Sequence, residues 1–142
     1  MIHIYRAVYE EIMEALLSET PERGGVLGAK PGQPISKFYY DESGISTPDS
    51  YTPDYQAINL VLDNWDQEDV SMVGMVHSHA GDDTLPSCGD LYYCEKILLS
   101  NRGLNNFYLP IVSVETKIIH PYRCYLTNGR IVVVKDEWMI KE

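Results

Sequence analysis

Val70-Ser71-Met72-Val73-Gly74-Met75-Val76-His77-Ser78-His79 is the stretch that decides the fold. Side chains alternate along a strand. Val73, Met75, His77 and His79 are therefore expected on one face, with Gly74, Val76, Ser78 and Ala80 on the other. Apolar and small residues on both faces mark a strand that is covered on both sides and central to its sheet. The two imidazoles stand at its carboxyl end, where the loop of residues 81–86 begins. Two residues apart, they point the same way and can reach one metal ion.

Upstream, Thr52-Pro53-Asp54 has the form of a helix start: a cap, a proline at the first helical position and an acid in the first turn. Ile58, Leu62 and Trp65 then make one apolar face, and the helix is expected to end between residues 64 and 68. Residues 41–52 are polar, contain Gly, Ser and Pro, and read as a loop. Glu22-Arg23-Gly24-Gly25-Val26-Leu27-Gly28 is too short and too glycine-rich for a helix and reads as a strand whose glycines permit close backbone approach. A turn over residues 30–34 leads to a second strand over 35–40. Before these, Val8, Ile12, Ala15 and Leu16 recur at helical spacing in a helix over about 7–19, stopped by Pro21.

Downstream, Ser87 caps a helix running to about residue 101, with Leu91, Cys94 and Leu98 inward and Gly103 as its stop. Residues 107–115 read as a strand in which Pro110 implies an edge or a bulge. Asn128-Gly129 predicts a tight hairpin between strands over 121–126 and 130–135. The resulting order, α-β-β-α-β-α-β-β-β, predicts an α/β (α+β-like) fold: a mixed, partly closed sheet flanked by three helices. With 142 residues and no repeat or linker, the chain reads as one domain over 1–142.

Composition narrows the function. A formal net charge of -10 argues against nucleic acid, since phosphate binding needs clustered Lys and Arg and no basic stripe is present. No apolar run is long enough to span a bilayer, and Met1-Ile2-His3-Ile4-Tyr5-Arg6 lacks the shape of a signal peptide. Cys88, Cys94 and Cys124 form no CxxC pair and read as reduced thiols, which places the expectation in the cytoplasm. Cys94 falls among the inward residues of its helix and reads as core. His3 and His120 lack companions and read as ordinary histidines. Tyr39, Tyr40, Tyr51, Tyr55, Tyr92 and Tyr93 either line a peptide groove or half-bury at element edges, the commoner case.

The chemistry gathers around the histidines. If Ser87 caps the third helix, Asp90 lies in its first turn, and a short loop folds that turn back over His77 and His79. Two nitrogens and one carboxylate oxygen leave a fourth tetrahedral position for water, the pattern of a catalytic rather than a structural zinc site. Zinc lowers the pKa of bound water from 15.7 to about 7 and polarises a carbonyl. A carboxylate that is not itself a ligand must take the proton and pass it to the leaving amine. Among the acids, Glu22 is best placed, ahead of a glycine-rich strand able to lie beside the histidine strand. Ser-x-x-Asp also resembles a capping box, and one helix terminus can serve both purposes.

His77-Ser78-His79, seven residues, Ser87, two residues and Asp90 resemble the JAMM motif of the JAB/MPN metalloprotease family. Glu22 followed by Gly24-Gly25-Val26-Leu27-Gly28 looks like that family's glutamate strand. The resemblance covers nearly the whole chain and implies the JAB1/MPN, cytidine-deaminase-like architecture of a minimal prokaryotic-type domain. It implies one Zn2+ per chain on His77, His79 and Asp90, with Glu22 activating water and Ser87 holding the oxyanion. It further implies a substrate joined through the C-terminus of a ubiquitin-like or sulfur-carrier protein. Two departures stand out: Ala80 replaces the frequent proline, and the long insertions of some eukaryotic members are missing. The competing readings are a non-catalytic MPN scaffold and a peptidase acting on cell-wall or other small peptides. A zinc deaminase requires His-x-Glu and Pro-Cys-x-x-Cys, and the sequence has neither.

Overall fold

The computed structural model describes residues 1–142 except 18–21, 48–49, 80–83 and 102, and does not describe the side chains of Thr47 and Ser50. In chain order the elements are β1 (Ile2–Tyr5), α1 (Arg6–Leu16), β2 (Gly24–Ala29), β3 (Lys37–Tyr40), β4 (Ile45–Thr47), β5 (Ser50–Thr52), α2 (Tyr55–Asp66) and β6 (Ser71–His79). They continue with α3 (Cys88–Ser100), β7 (Phe107–Tyr108), β8 (Ile111–Ser113), β9 (Ile118–His120), β10 (Tyr122–Thr127), β11 (Arg130–Lys135) and β12 (Trp138–Lys141). The protein is thus an α/β fold of three helices around a mixed sheet, as its pattern of elements predicts.

The main sheet runs β11-β10-β7-β6-β2-β3, with β8 joining β6 to β9. β6 is its central strand. It pairs antiparallel with β2 on one side and parallel with β7 and β8 on the other. Parallel partners need a long crossover, and α3 supplies it. Two apolar clusters fill the two faces. Ile2, Ile4, Val8, Ile12, Leu16, Leu27, Val76 and Val112 pack beneath α1. Val26, Ile58, Trp65, Met75, Cys94, Leu98, Phe107 and Cys124 pack beneath α2 and α3. Burying each of the larger aliphatic side chains stabilises the fold by about 1.5–3 kcal/mol.

Several expectations are corrected. Val73 does not share the face of the histidines: it packs on the α1 side, while Met72 turns to the α2–α3 side. The pairing of β2 with β6 shifts register between Leu27 and Gly28, and such a bulge resets the alternation upstream of Gly74. α2 is capped by Asp54, whose side chain accepts the Ala57 N–H at 3.1 Å; Thr52 instead ends β5. The stretch read as a loop carries the small β4–β5 hairpin. The strand expected over 107–115 is divided at Pro110, which has no N–H to give the ladder. β1, β9 and β12 go unread in the sequence. β1 and β12 pair in parallel with each other, at opposite ends of the chain. Pro21, Ala80 and the residues beyond 17 assigned to the first helix lie outside the described residues.

Candidate metal centre

His77 and His79 keep the alternation expected of them. Both are buried and aim from the end of β6 to the same side. Their rings sit 4.7 Å apart, centroid to centroid. Asp90 arrives from α3, whose start is fixed locally. The Asp90 N–H donates to Ser87 Oγ at 3.1 Å, and the Ser87 N–H donates to Asp90 Oδ2 at 2.7 Å, a complete capping box. Four N–H groups at a helix start have no partner within the helix, and this exchange satisfies two of them while anchoring the carboxylate.

His77 Nε2 lies 3.2 Å from Asp90 Oδ1, and His79 Nε2 lies 3.8 Å from Asp90 Oδ2. One ligand atom from each of the three residues falls within 4.8 Å of the others. Zinc bonds of 2.0–2.1 Å set tetrahedral ligands roughly 3.3 Å apart, so small side-chain adjustments suffice. Among the described residues, the buried His77 Nε2 has no aligned hydrogen-bond partner, although the carboxylate is near it. A shared cation satisfies that nitrogen and the carboxylate together. Burial pushes the Asp90 carboxyl up, yet contact with His77 and the bonds to Ser87 outweigh it and hold the group at about 2. The carboxylate is therefore ionised and ready to ligate at neutral pH. His77, His79 and Asp90 can hold a metal ion.

Gly24, the first residue of β2, pairs with His77. Just before it, Ser78 N–H donates to the Arg23 carbonyl at 2.8 Å, and Arg23 N–H donates to Ser78 Oγ at 2.9 Å. Glu22 directly precedes Arg23, in the segment that leads into β2. Ser87 is exposed at the mouth of the site. Asp82 and Asp83, the acidic pair in the loop that follows the histidines in sequence, lie outside the described residues. Cys94 is core, as read, beside the buried Cys124, and Cys88 is exposed. His3 is exposed on β1, and His120 lies 3.3 Å from Lys135.

Two neighbours of the site escaped sequence reasoning. Ser113 is fully buried and pairs with His79 from β8. A hydroxyl inside the apolar run 109–114 was the available signal. Tyr51 is the other: a Cβ on Gly24, the strand partner of His77, would run into its ring. No pattern in the sequence marks it. Of the six tyrosines, Tyr55 and Tyr93 pack against each other at 5.8 Å, between the starts of α2 and α3. Tyr92 is exposed under Lys96, and Tyr39 and Tyr40 pack on opposite faces of the sheet.

Among the described residues, no helix is long and apolar enough to cross a membrane. No family model matches the chain. No curated protein matches it either. Among solved structures, the solution structure of protein DSY2949 from Desulfitobacterium hafniense is similar, with a TM-score of 0.70 at 19% identity. The match covers 100% of this chain and 94% of that one. Likeness at that identity speaks for the fold alone: the chain shares its architecture with a solved protein over its full length.

Proposed function

We propose that the protein is a zinc peptidase or isopeptidase of the JAMM type, hydrolysing an amide bond at the C-terminus of a ubiquitin-like or sulfur-carrier protein. The observation that carries this reading is the convergence of His77, His79 and Asp90 within 4.8 Å; Glu22, in the segment leading into the neighbouring strand β2, is the candidate base. Zinc in that position supplies a Lewis acid for the carbonyl and acidifies water to a pKa of about 7. The residues do the rest. Glu22, which is not a ligand, accepts the proton of the attacking water and returns it to the leaving amine. Ser87 Oγ accepts the Asp90 N–H, and its own hydroxyl proton remains to donate to the developing oxyanion. The capping box holds that hydroxyl and the ligand carboxylate in one rigid turn.

The test is Glu22→Gln, assayed on fusions of a ubiquitin-like carrier with an added C-terminal peptide. The variant is expected to bind zinc as the wild type does and to lose about 10²–10⁴-fold in hydrolysis. Full activity in the variant overturns the role of Glu22. Zinc binding without cleavage of any carrier fusion or small peptide in the wild type favours a binding scaffold instead.

A further inference from the structure

Asp90 is the one ligand that does not stand on β6, so its distance from the histidines depends on where α3 starts. The capping box fixes the shape of that first turn but not its position relative to the sheet. Leu91, Cys94 and Leu98 seat α3 in the core, and Glu95 accepts the Ile131 N–H of β11 at 3.2 Å. Near Asp90, the contact with α2 is made by Tyr93, one turn beyond it, which packs on Tyr55 at 5.8 Å and 34°. Burial and a hydrogen bond to Tyr55 push the Tyr93 phenol up, so its hydroxyl stays protonated. Tyr55 opens α2 directly after its cap, Asp54, whose side chain is fully engaged by the Ala57 N–H and the Ser43 hydroxyl.

The Asp54 N–H is in turn held by Asp41. That carboxylate is 4% exposed and accepts, on Oδ2, the Tyr51 hydroxyl at 2.6 Å and the Asp54 N–H at 2.9 Å. Its Oδ1 is buried without a partner among the described residues. Half-satisfied buried carboxylates are costly and persist where they fix a geometry. The Tyr51 ring lies over Gly24, the strand partner of His77. The connection therefore runs from β2, beside one ligand, through Tyr51, Asp41, Asp54 and Tyr55 to Tyr93 on the helix of another.

We propose that Asp41, Tyr51, Tyr55 and Tyr93 are positioning residues for the metal centre, a chain that sets the separation of Asp90 from His77 and His79. The proposal rests on the metal-site reading above. None of the four touches the ion. Their effect is on how tightly, and in what geometry, the ion is held, as partners behind the ligands of other metal sites tune affinity.

The experiment uses Co2+ as probe, with affinity from chelator competition, the visible Co2+ spectrum and the melting temperature of the metal-free protein. Asp41→Asn and Tyr93→Leu are expected to weaken Co2+ binding about 10–100-fold and to alter the spectrum. Tyr93→Phe, which keeps the ring, should lose less. Ile12→Ala, on the opposite face of the sheet, serves as control: its melting temperature falls while its Co2+ affinity and spectrum stay those of the wild type. If the chain variants match Ile12→Ala, with stability lowered and spectrum and affinity intact, the positioning role is overturned. Failure of the wild type to bind Co2+ overturns the metal-site reading itself, a distinct result.

Discussion

β6 shows two faces to two different environments. On the α1 side, Val76 packs within an apolar cluster that includes Ile4, Val8, Ile12, Leu16 and Leu27. On the α2–α3 side the same strand begins as core, with Met75 packed against Val26, Trp65 and Leu98, and ends as chemistry, with His77 and His79 facing Asp90. One period of two residues serves both purposes. The difference lies in what each face is closed with. The α1 face is sealed by side chains that need nothing further. The other face ends in a buried imidazole nitrogen without an aligned partner among the described residues, beside an ionised carboxylate. Both faces contribute core, but only the second ends in the candidate metal centre, and substitutions should separate stability from metal binding.

The largest effect is expected on the closed face. Ile12 is fully buried there, and Ile12→Ala should cost about 2–5 kcal/mol in denaturant unfolding with metal affinity unchanged. Next comes the open end. Zinc at about 100 times its Kd should stabilise the wild type by ~2.7 kcal/mol, and His79→Ala should abolish that gain. The same variant should disturb the metal-free protein less than Ile12→Ala does. If zinc still stabilises His79→Ala, the face has been misread.

Ser87→Ala should cost about 1 kcal/mol by removing the cap of α3, and it should loosen Asp90 as well, so the loss should be larger with zinc present. The smallest expected effect is in acid. Asp136 binds the Met1 ammonium at 3.1 Å and Arg123 Nε at 2.9 Å, beside the β1–β12 pair. Burial raises its carboxyl, but Arg123, the Glu137 N–H and the terminal ammonium hold it at about 2. Because the folded value lies below the ordinary carboxylate range, its contribution is complete above that range and drains away as pH falls towards 2. Asp136→Asn should flatten that part of the stability–pH curve, measured on metal-free protein.

The sequence reveals the open end of β6 more readily than the molecule's margins. His77 and His79 are legible because alternation needs no tertiary knowledge, and Asp90 because Ser87 fixes where its helix starts. The bulge that turns Val73 to the other face leaves no mark in an apolar run. β1 and β12 are four residues each and form only because they meet across the whole chain, a pairing that no local pattern encodes. β4 and β5 are three residues each and mostly Ser and Thr, which read as loop. Tyr51 is legible only as one of six tyrosines able to line a groove or half-bury at an edge, since its place over Gly24 depends on that strand pair. Glu22 lies between these cases: its residue type and its place ahead of a glycine-rich strand suggest a base, and β2 does pair with β6, although the paired residues begin at Gly24.

The most direct measurement is zinc content after exhaustive dialysis of the wild type, His77→Ala, His79→Ala and Asp90→Ala. A single site of three ligands predicts about one zinc per wild-type chain and almost none in each variant. A wild type that retains no zinc, or variants that retain as much as the wild type, would contradict it.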